Sequence, residues 1–424
     1  MSRAPFHLLI LACWLLAACQ PAPEANVAGY LLARQLNSLQ SPSLAEPTGA
    51  IEGRIVTNGR PVAGAVALVA ERTGRAHTAR TDADGRYRIE GVPPDEYVVA
   101  AVAPGYAEAA LQNAWGGPVP VRVRSGATTP APALRLSPLA QGGAAPDAAG
   151  LNVRRTAEYT ATAPFPPGAA AQGRAFAFDR DGVTINTLRL YLPIEAQEDD
   201  RYPLLLFVAP TAVDDWQNVS VAFASQGFAV AAISPVAERG VDAEAQAQDV
   251  RAALALAQSG ALGPEVGDNR PVAMGGSYSS AILARLVRTA GDDLGGWVSV
   301  GGLANAFAGA ADFYAGELEM PPNFSLLVPA FGLPNLYPLT FLRYSPVFVA
   351  SELPPTLLVH TAADRVLPIE QAYELEAAAR AAGVPVDTFY YADTSHYLGI
   401  GENLTDAGRA MFYKIVEFVT RYGQ

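Results

Sequence analysis

Two short apolar runs do most to limit what this chain can fold into. "YPLLLFVAP", residues 202–210, and "GFAVAAISP", residues 227–235, are continuously apolar where a half-exposed strand would alternate. Such strands need cover on both faces, which is the situation inside a parallel sheet flanked by helices. The intervening stretches supply those helices. "AEAQAQDVRAALALAQ" reads as one, and "AILARLVRTA" places Ile282, Leu283, Leu286 and Val287 on a single helical face. "PTLLVHTAAD" returns to a buried strand, and in "TDAGRAMFYKIVEFVTRYG" Met411, Phe412, Ile415, Val416 and Val419 recur at helical spacing. This alternation predicts an α/β domain over residues 173–424 with a doubly wound, mostly parallel sheet. "DGVTINTLRLYLP", residues 181–193, is expected to be an antiparallel edge strand leading into it.

Residues 49–136 have another texture, with short β-branched runs divided by Gly, Pro and Asp. "AIEGRIVTNGRPVAGAVALVA" alternates and then turns at Asn58 and Gly59; "TDADGRYRIEGVPPDEYVVAAVAPGY" adds a turn at Asp82 to Gly85 and further strands. This patterning is that of a small all-β domain preceding the α/β one, and the segment resembles the carboxypeptidase regulatory-like β-sandwich. "DADG" spaces its carboxylates like the start of a calcium loop, but the remaining ligands and the distal glutamate do not follow. A turn in which an aspartate caps its own backbone is expected instead. The domain then reads as a spacer or binding module, and a chain starting near Gln172 is expected to keep its activity. Residues 137–172, rich in Ala, Gly and Pro, read as a linker.

The N-terminus reads as an export signal over residues 1–18. Arg3 precedes the apolar run "FHLLILACWLLAAC", which is too short to span a bilayer as a helix. Its end, "LAAC", resembles the lipobox of bacterial lipoproteins, and the resemblance implies that Cys19 carries a lipid and anchors the chain to the cell envelope. Residues 19–48 then form a tether. With Cys13 removed alongside the signal, Cys19 is the one cysteine left and no internal disulfide can form. A formal charge of −12 and the lack of a basic stripe argue against a nucleic-acid partner.

"AMGGSYSSAI", residues 273–282, runs from an apolar strand through two glycines to a serine and then a helix. A serine hydroxyl is a weak nucleophile until a base takes its proton, and a tight strand-to-helix bend exposes it beside backbone amides. The stretch resembles the G-x-S-x-G nucleophile elbow of the α/β-hydrolase family, with Ser279 in the place of the last glycine. That resemblance makes Ser277 the nucleophile. The family's order of serine, acid and histidine is met by Asp364 in "LLVHTAAD" and His396 in "TSHYLG", each after a strand of its own. His360, at the end of a buried strand, is expected to be structural.

The resemblance also implies an oxyanion hole made by the backbone N–H of Tyr278 and a second amide after the first buried strand. Here that stretch reads "FVAPTAVDDW"; Pro210 has no N–H, which leaves Thr211. Residues of about 303–349, rich in Phe, Tyr, Leu and Pro, occupy the position of a cap insertion and are expected to line a pocket. The C-terminal stretch most resembles the dienelactone hydrolase and prolyl oligopeptidase branches. The function implied is cleavage of a carboxylic ester through an acyl-enzyme, with no cofactor and no metal, acting on a small-molecule or peptide substrate. Ester is preferred because the propeller that filters peptides in prolyl oligopeptidases is missing. A serine peptidase and a surface binding protein with an inactive hydrolase domain are the alternatives.

Overall fold

The computed structural model describes residues 47–139, 148–240, 242–320, 327–392, 395–396 and 404–423. Cys19, the export signal and most of the tether lie outside the described residues.

The first domain is all β. Strand β1 (Gly49–Thr57) pairs antiparallel with β4 (Arg86–Val92) and parallel with the short segments Thr128–Pro130 and Leu134–Arg135. A second sheet holds β2 (Val66–Ala70), β3 (Ala76–Arg80), β5 (Ala100–Val102) and β6 (Ala109–Ala110) in the order β3-β2-β5-β6. The turn after β1 has Asn58 and Gly59 both at positive φ, 48° and 78°, as a two-residue hairpin turn requires. Asp82 Oδ1 accepts from the amides of Asp84 and Arg86 at 2.9 and 2.8 Å, so that aspartate does cap its own turn.

The second domain is built on one sheet of nine strands: β7 (Arg154–Thr162), β8 (Ala170–Arg180), β9 (Val183–Pro193), β10 (Leu204–Val208), β11 (Ala229–Ile233), β12 (Val272–Gly276), β13 (Gly296–Val300), β14 (Thr356–Thr361) and β15 (Val386–Tyr391). The spatial order is β7-β8-β9-β11-β10-β12-β13-β14-β15. β7 to β9 are antiparallel, β9 meets β11 antiparallel, and every later pairing is parallel. This is a doubly wound, mostly parallel sheet behind a small all-β domain, as the sequence predicts.

The continuous apolar runs explain the two layers. Leu204, Leu206 and Val208 of β10 enter one core and Leu205 and Phe207 the other; β11 divides in the same way. Helices α2 (Ala243–Gln258) and α3 (Tyr278–Ala290) cover the first face. Helices α1 (Gln217–Ala224) and α7 (Asp406–Tyr422) cover the second. Between β13 and β14 stands an insertion with α4 (Ala306–Ala315), α5 (Pro338–Arg343) and a 3-10 stretch, Pro346–Glu352; α6 (Glu370–Ala381) follows β14.

Three expectations need correction. Arg154–Thr162, inside the supposed linker, is the edge strand β7; it was hidden because it buries only Ala161 and part of Tyr159, and its Arg154, Arg155 and Glu158 suit an unpaired edge. The strand "TINTLRLYL" is consequently internal, with β8 on one side and β11 on the other. The sandwich is also no detachable spacer. A cut at Gln172 would pass through β8, where Gln172 pairs with Thr160 and Leu192. Moreover Val66, Leu68 and Ala70 of β2, with Ala100 and Val102 of β5, belong to the same hydrophobic core as Phe307 and Phe341 of the insertion. Ala67, Val69 and Ala101, on the opposite side of those strands, fill the sandwich's own core.

Candidate active site

Ser277 stands one residue beyond β12 with φ 52° and ψ −125°, a backbone conformation rare for a residue with a side chain. Its neighbours make it tenable. A Cβ on Gly275 would lie 2.8 Å from Leu283 Cδ1, and one on Gly276 would lie 2.8 Å from the Val300 carbonyl, so the bend closes only on glycines. The Ser277 amide donates to Val300 O at 3.0 Å, and its carbonyl accepts from Ser280 N at 3.1 Å. At the N-cap of α3 the Ser277 hydroxyl makes no capping bond to the helix. It points elsewhere.

Ser279 resolves the departure from the glycine pattern. Its hydroxyl donates to the Gly276 carbonyl at 2.8 Å and accepts from the Gly276 amide at 3.0 Å, so the extra side chain closes the bend from inside. Ser280 is buried against Ser299, Oγ to Oγ 3.0 Å. Neither hydroxyl reaches the cavity that Ser277 lines.

His396, after β15, brings Nε2 to 2.8 Å from Ser277 Oγ and Nδ1 to 2.7 Å from Asp364 Oδ2. The proton placement that satisfies both contacts puts N–H on Nδ1 and leaves Nε2 to accept from the serine. Asp364, after β14, is oriented by its own loop: Oδ1 accepts from the amides of Val366 and Leu367 at 2.9 and 2.8 Å, which leaves Oδ2 for the imidazole. Burial opposes charge on this carboxyl, but the bonds from His360 and His396 hold it well below the usual carboxylate range. Ser277, His396 and Asp364 thus meet at the carboxyl edge of the sheet, where three different strands end.

Thr211, three residues past β10, and Tyr278 line the same cavity as Ser277. Among the described residues the Thr211 amide has no protein partner, while its Oγ1 accepts from Trp216 Nε1 at 2.8 Å. Tyr278 N–H opens α3 next to the serine, and its ring is held by a bond of 2.9 Å from Gln246 Nε2 to its hydroxyl.

Sequence reasoning missed several contributors. His360, expected to be structural, is buried with Nε2 2.8 Å from the Leu367 carbonyl and 3.4 Å from Asp364 Oδ2, so it braces the acid and its loop, a contact with the acid that the sequence did not show. Gly301, at φ 54°, places its backbone where a Cβ would sit 3.4 Å from Asp364 Oδ2 and 3.5 Å from His396 Nδ1. The "VSVGGL" stretch after a strand was the available signal for it. Phe165, within the supposed linker, also lines the cavity and meets Phe412 edge to face at 5.2 Å.

The cavity measures about 520 Å³. Phe207, Phe223, Leu303, Phe331, Phe341 and Ile415 are among its walls, and the serine and histidine open into it. Among the described residues no group of three or more His, Cys, Asp or Glu is placed to hold a metal ion.

Residues 50–131 match the family model of the carboxypeptidase regulatory-like domain. No curated protein matches the chain. Among solved structures it is similar to Thermogutta terrifontis esterase 2 phosphoramylated by tabun, at 18% identity over 57% of this chain and 91% of that one, with a TM-score of 0.43. The butyrate-bound esterase from the same organism gives 18% identity, 65% and 95% coverage and a TM-score of 0.44. Pyrococcus horikoshii acylaminoacyl peptidase is similar at 14% identity over 82% of this chain and 59% of its own, with a TM-score of 0.48.

The insertion also carries a carboxyl out of its usual range. Asp312 of α4 is half buried, and burial, then the charges of Glu317 and Glu370, push it up to about 6. A folded-state value above the unfolded one gives stability that is complete below the unfolded carboxylate range and lost as pH rises through about 6. Asp312→Asn removes the charge that causes this loss. Its melting temperature is therefore expected to exceed that of the wild type near pH ~8, and the two should converge below pH ~4. Thermal melts followed by circular dichroism across that range check it.

Proposed function

We propose that this chain is a serine hydrolase that cleaves carboxylic esters with an apolar acyl group. One observation carries the reading: a serine at a strained strand-to-helix bend, hydrogen-bonded through a histidine to a buried ionised aspartate, opens into an apolar cavity of about 520 Å³. His396 Nε2 takes the proton as Ser277 Oγ attacks the carbonyl carbon, and Asp364 stabilises the imidazolium that results. The oxyanion of the tetrahedral intermediate accepts from the amides of Tyr278 and Thr211. The bond to the leaving oxygen then breaks as His396 returns the proton to it. Water, deprotonated by the same histidine, attacks the acyl-enzyme and frees the acid. The walls around the serine favour an acyl chain or aromatic acid over a charged one.

The same reading includes a lipid at Cys19, so that the enzyme works at the cell envelope. Wild type is expected to partition into detergent phase and to incorporate labelled palmitate, and Cys19→Ala to do neither; equal partitioning would remove the anchor from the proposal.

Groups that act as a unit give non-additive losses. Ser277→Ala, His396→Ala and their double variant should each lower turnover by a similar factor, on the order of a millionfold, with Asp364→Ala costing less. A fluorophosphonate should attach to Ser277, and attachment to another residue of the folded protein would overturn the assignment. The cavity makes a further demand. Each methylene that enters it is worth about 0.8 kcal/mol, roughly fourfold in kcat/KM. Nitrophenyl esters from acetyl to octanoyl should show that gain until the cavity is full, and a flat series would argue against an acyl site there.

A further inference from the structure

Helix α5 lies between the cavity and the sandwich. Phe341, on the helix, and Tyr344, just after it, face the cavity together with Phe331. Phe331 stacks on Tyr344, centroids 5.6 Å apart, and meets Phe341 at 5.9 Å. A helix of six residues has too few internal bonds to hold its own position, so its neighbours must place it. Those neighbours are α4 and the 3-10 stretch on one side and β2, β5 and β6 of the sandwich on the other.

The contact with the sandwich has the character of an interior. Leu68 and Val102, from the outward face of β2 and β5, are fully buried in one core with Phe307, Phe341 and Leu342. Just ahead of α5, Asn335 is tied to the sandwich at both ends: its carbonyl accepts from Val98 N at 2.8 Å and its Nδ2 donates to Glu96 O at 3.0 Å. At the loop of Gly74 the backbones come so close that a Cβ there would stand 2.7 Å from both Phe307 O and Ala311 N of α4.

A buried charge cluster closes the far end. Glu108 of the sandwich, its side chain 4% exposed, sits 3.0 Å from Arg285 Nη1 and 2.6 Å from Arg288 Nε, both on α3, the helix that begins beside Ser277. Arg288 also pairs with Glu352 of the 3-10 stretch and donates to the Tyr106 carbonyl, while Glu352 Oε1 accepts from Gly105 N at 2.5 Å. Removing one partner from such a cluster leaves a buried charge uncompensated, so the orientation is strongly held.

We propose that the outward face of β2 and β5 is the fixed wall behind the cap of the active site, so that sandwich residues which never touch substrate determine which acyl chains the cavity accepts. Leu68, Val102 and Asn335 are positioning residues in this scheme. They hold α5 and its aromatic side chains at the distance that makes the cavity tight around a long acyl chain, while the Ser277, His396 and Asp364 geometry stands on the sheet and does not need them. This rests on the reading of the site as an ester hydrolase.

The test uses the full chain. Leu68→Ala with Val102→Ala is expected to lower kcat/KM for an octanoyl ester at least tenfold, mainly through KM. Turnover of the acetyl ester and the rate of fluorophosphonate labelling should change less than about threefold, since neither fills the cavity. Leu68→Met with Val102→Ile, which keeps the wall filled, should behave as wild type. Hydrogen exchange gives a second readout: amides of 339–343 should exchange faster in the alanine variant while those of β10 and β12 keep their protection. Should that variant fail to fold, Asn335→Ala carries the same comparison with the cores left filled. Equal losses on the long and short esters, no loss on either, or unchanged exchange in α5 would overturn the wall. Should the wild type hydrolyse neither ester, the ester reading fails, and the exchange of 339–343 then decides the wall alone.

Discussion

A serine held at φ 52° costs of order 1–3 kcal/mol of backbone strain, and it persists only because its surroundings leave no alternative. Those surroundings extend far from the bend. Glycines at 275 and 276 let the chain pass Leu283 and Val300, and the Ser279 hydroxyl ties the first turn of α3 back to Gly276. The Val300 carbonyl that receives the Ser277 amide belongs to the next strand of the sheet. Strain at one residue is therefore balanced by the packing of two strands and a helix, which is why the hydroxyl stays aimed at His396 rather than at its own helix.

Much of this was legible in the residues and some was not, for physical reasons that differ. Continuous apolar runs such as "LLLFV" and "AVAAI" announce burial on both faces, and both are internal strands of the sheet. The same signal was present in the sandwich: β2, "VALVA", is also apolar throughout, yet a free-standing sandwich strand should alternate. Its meaning, cover from a second domain, could have been inferred. The edge strand β7 could not, because a strand that covers only Ala161 and part of Tyr159 leaves no hydrophobic pattern to find. Ser277, Asp364 and His396 could be named together because motif spacing and the ends of predicted strands are local properties, and the fold does bring them within hydrogen-bonding distance. The contact of His360 with the acid could not be read in this way, since it depends on how the loop after β14 folds back.

The acid shows how that loop matters. Oδ1 is occupied by two amides of its own turn, so the carboxylate has one free oxygen and one orientation. His360 bonds to the carbonyl at the far side of the same turn. The loop, the carboxylate and the imidazole are thus fixed by one short segment, and the histidine at the end of β14 is part of the site's framework without entering the cavity.

The shared core between sandwich and cap has a consequence for how the chain reaches this state. Synthesis delivers β2 and β5 long before α4 and α5, which lie roughly 200 residues further on. At about 5–20 residues per second the sandwich can complete its own interior while Leu68 and Val102 still face water for some ten to forty seconds. The early-folding domain carries a sticky face through that interval, and its cover arrives only with the last third of the polypeptide. A nascent chain of this design is most vulnerable to self-association just when its first domain looks finished.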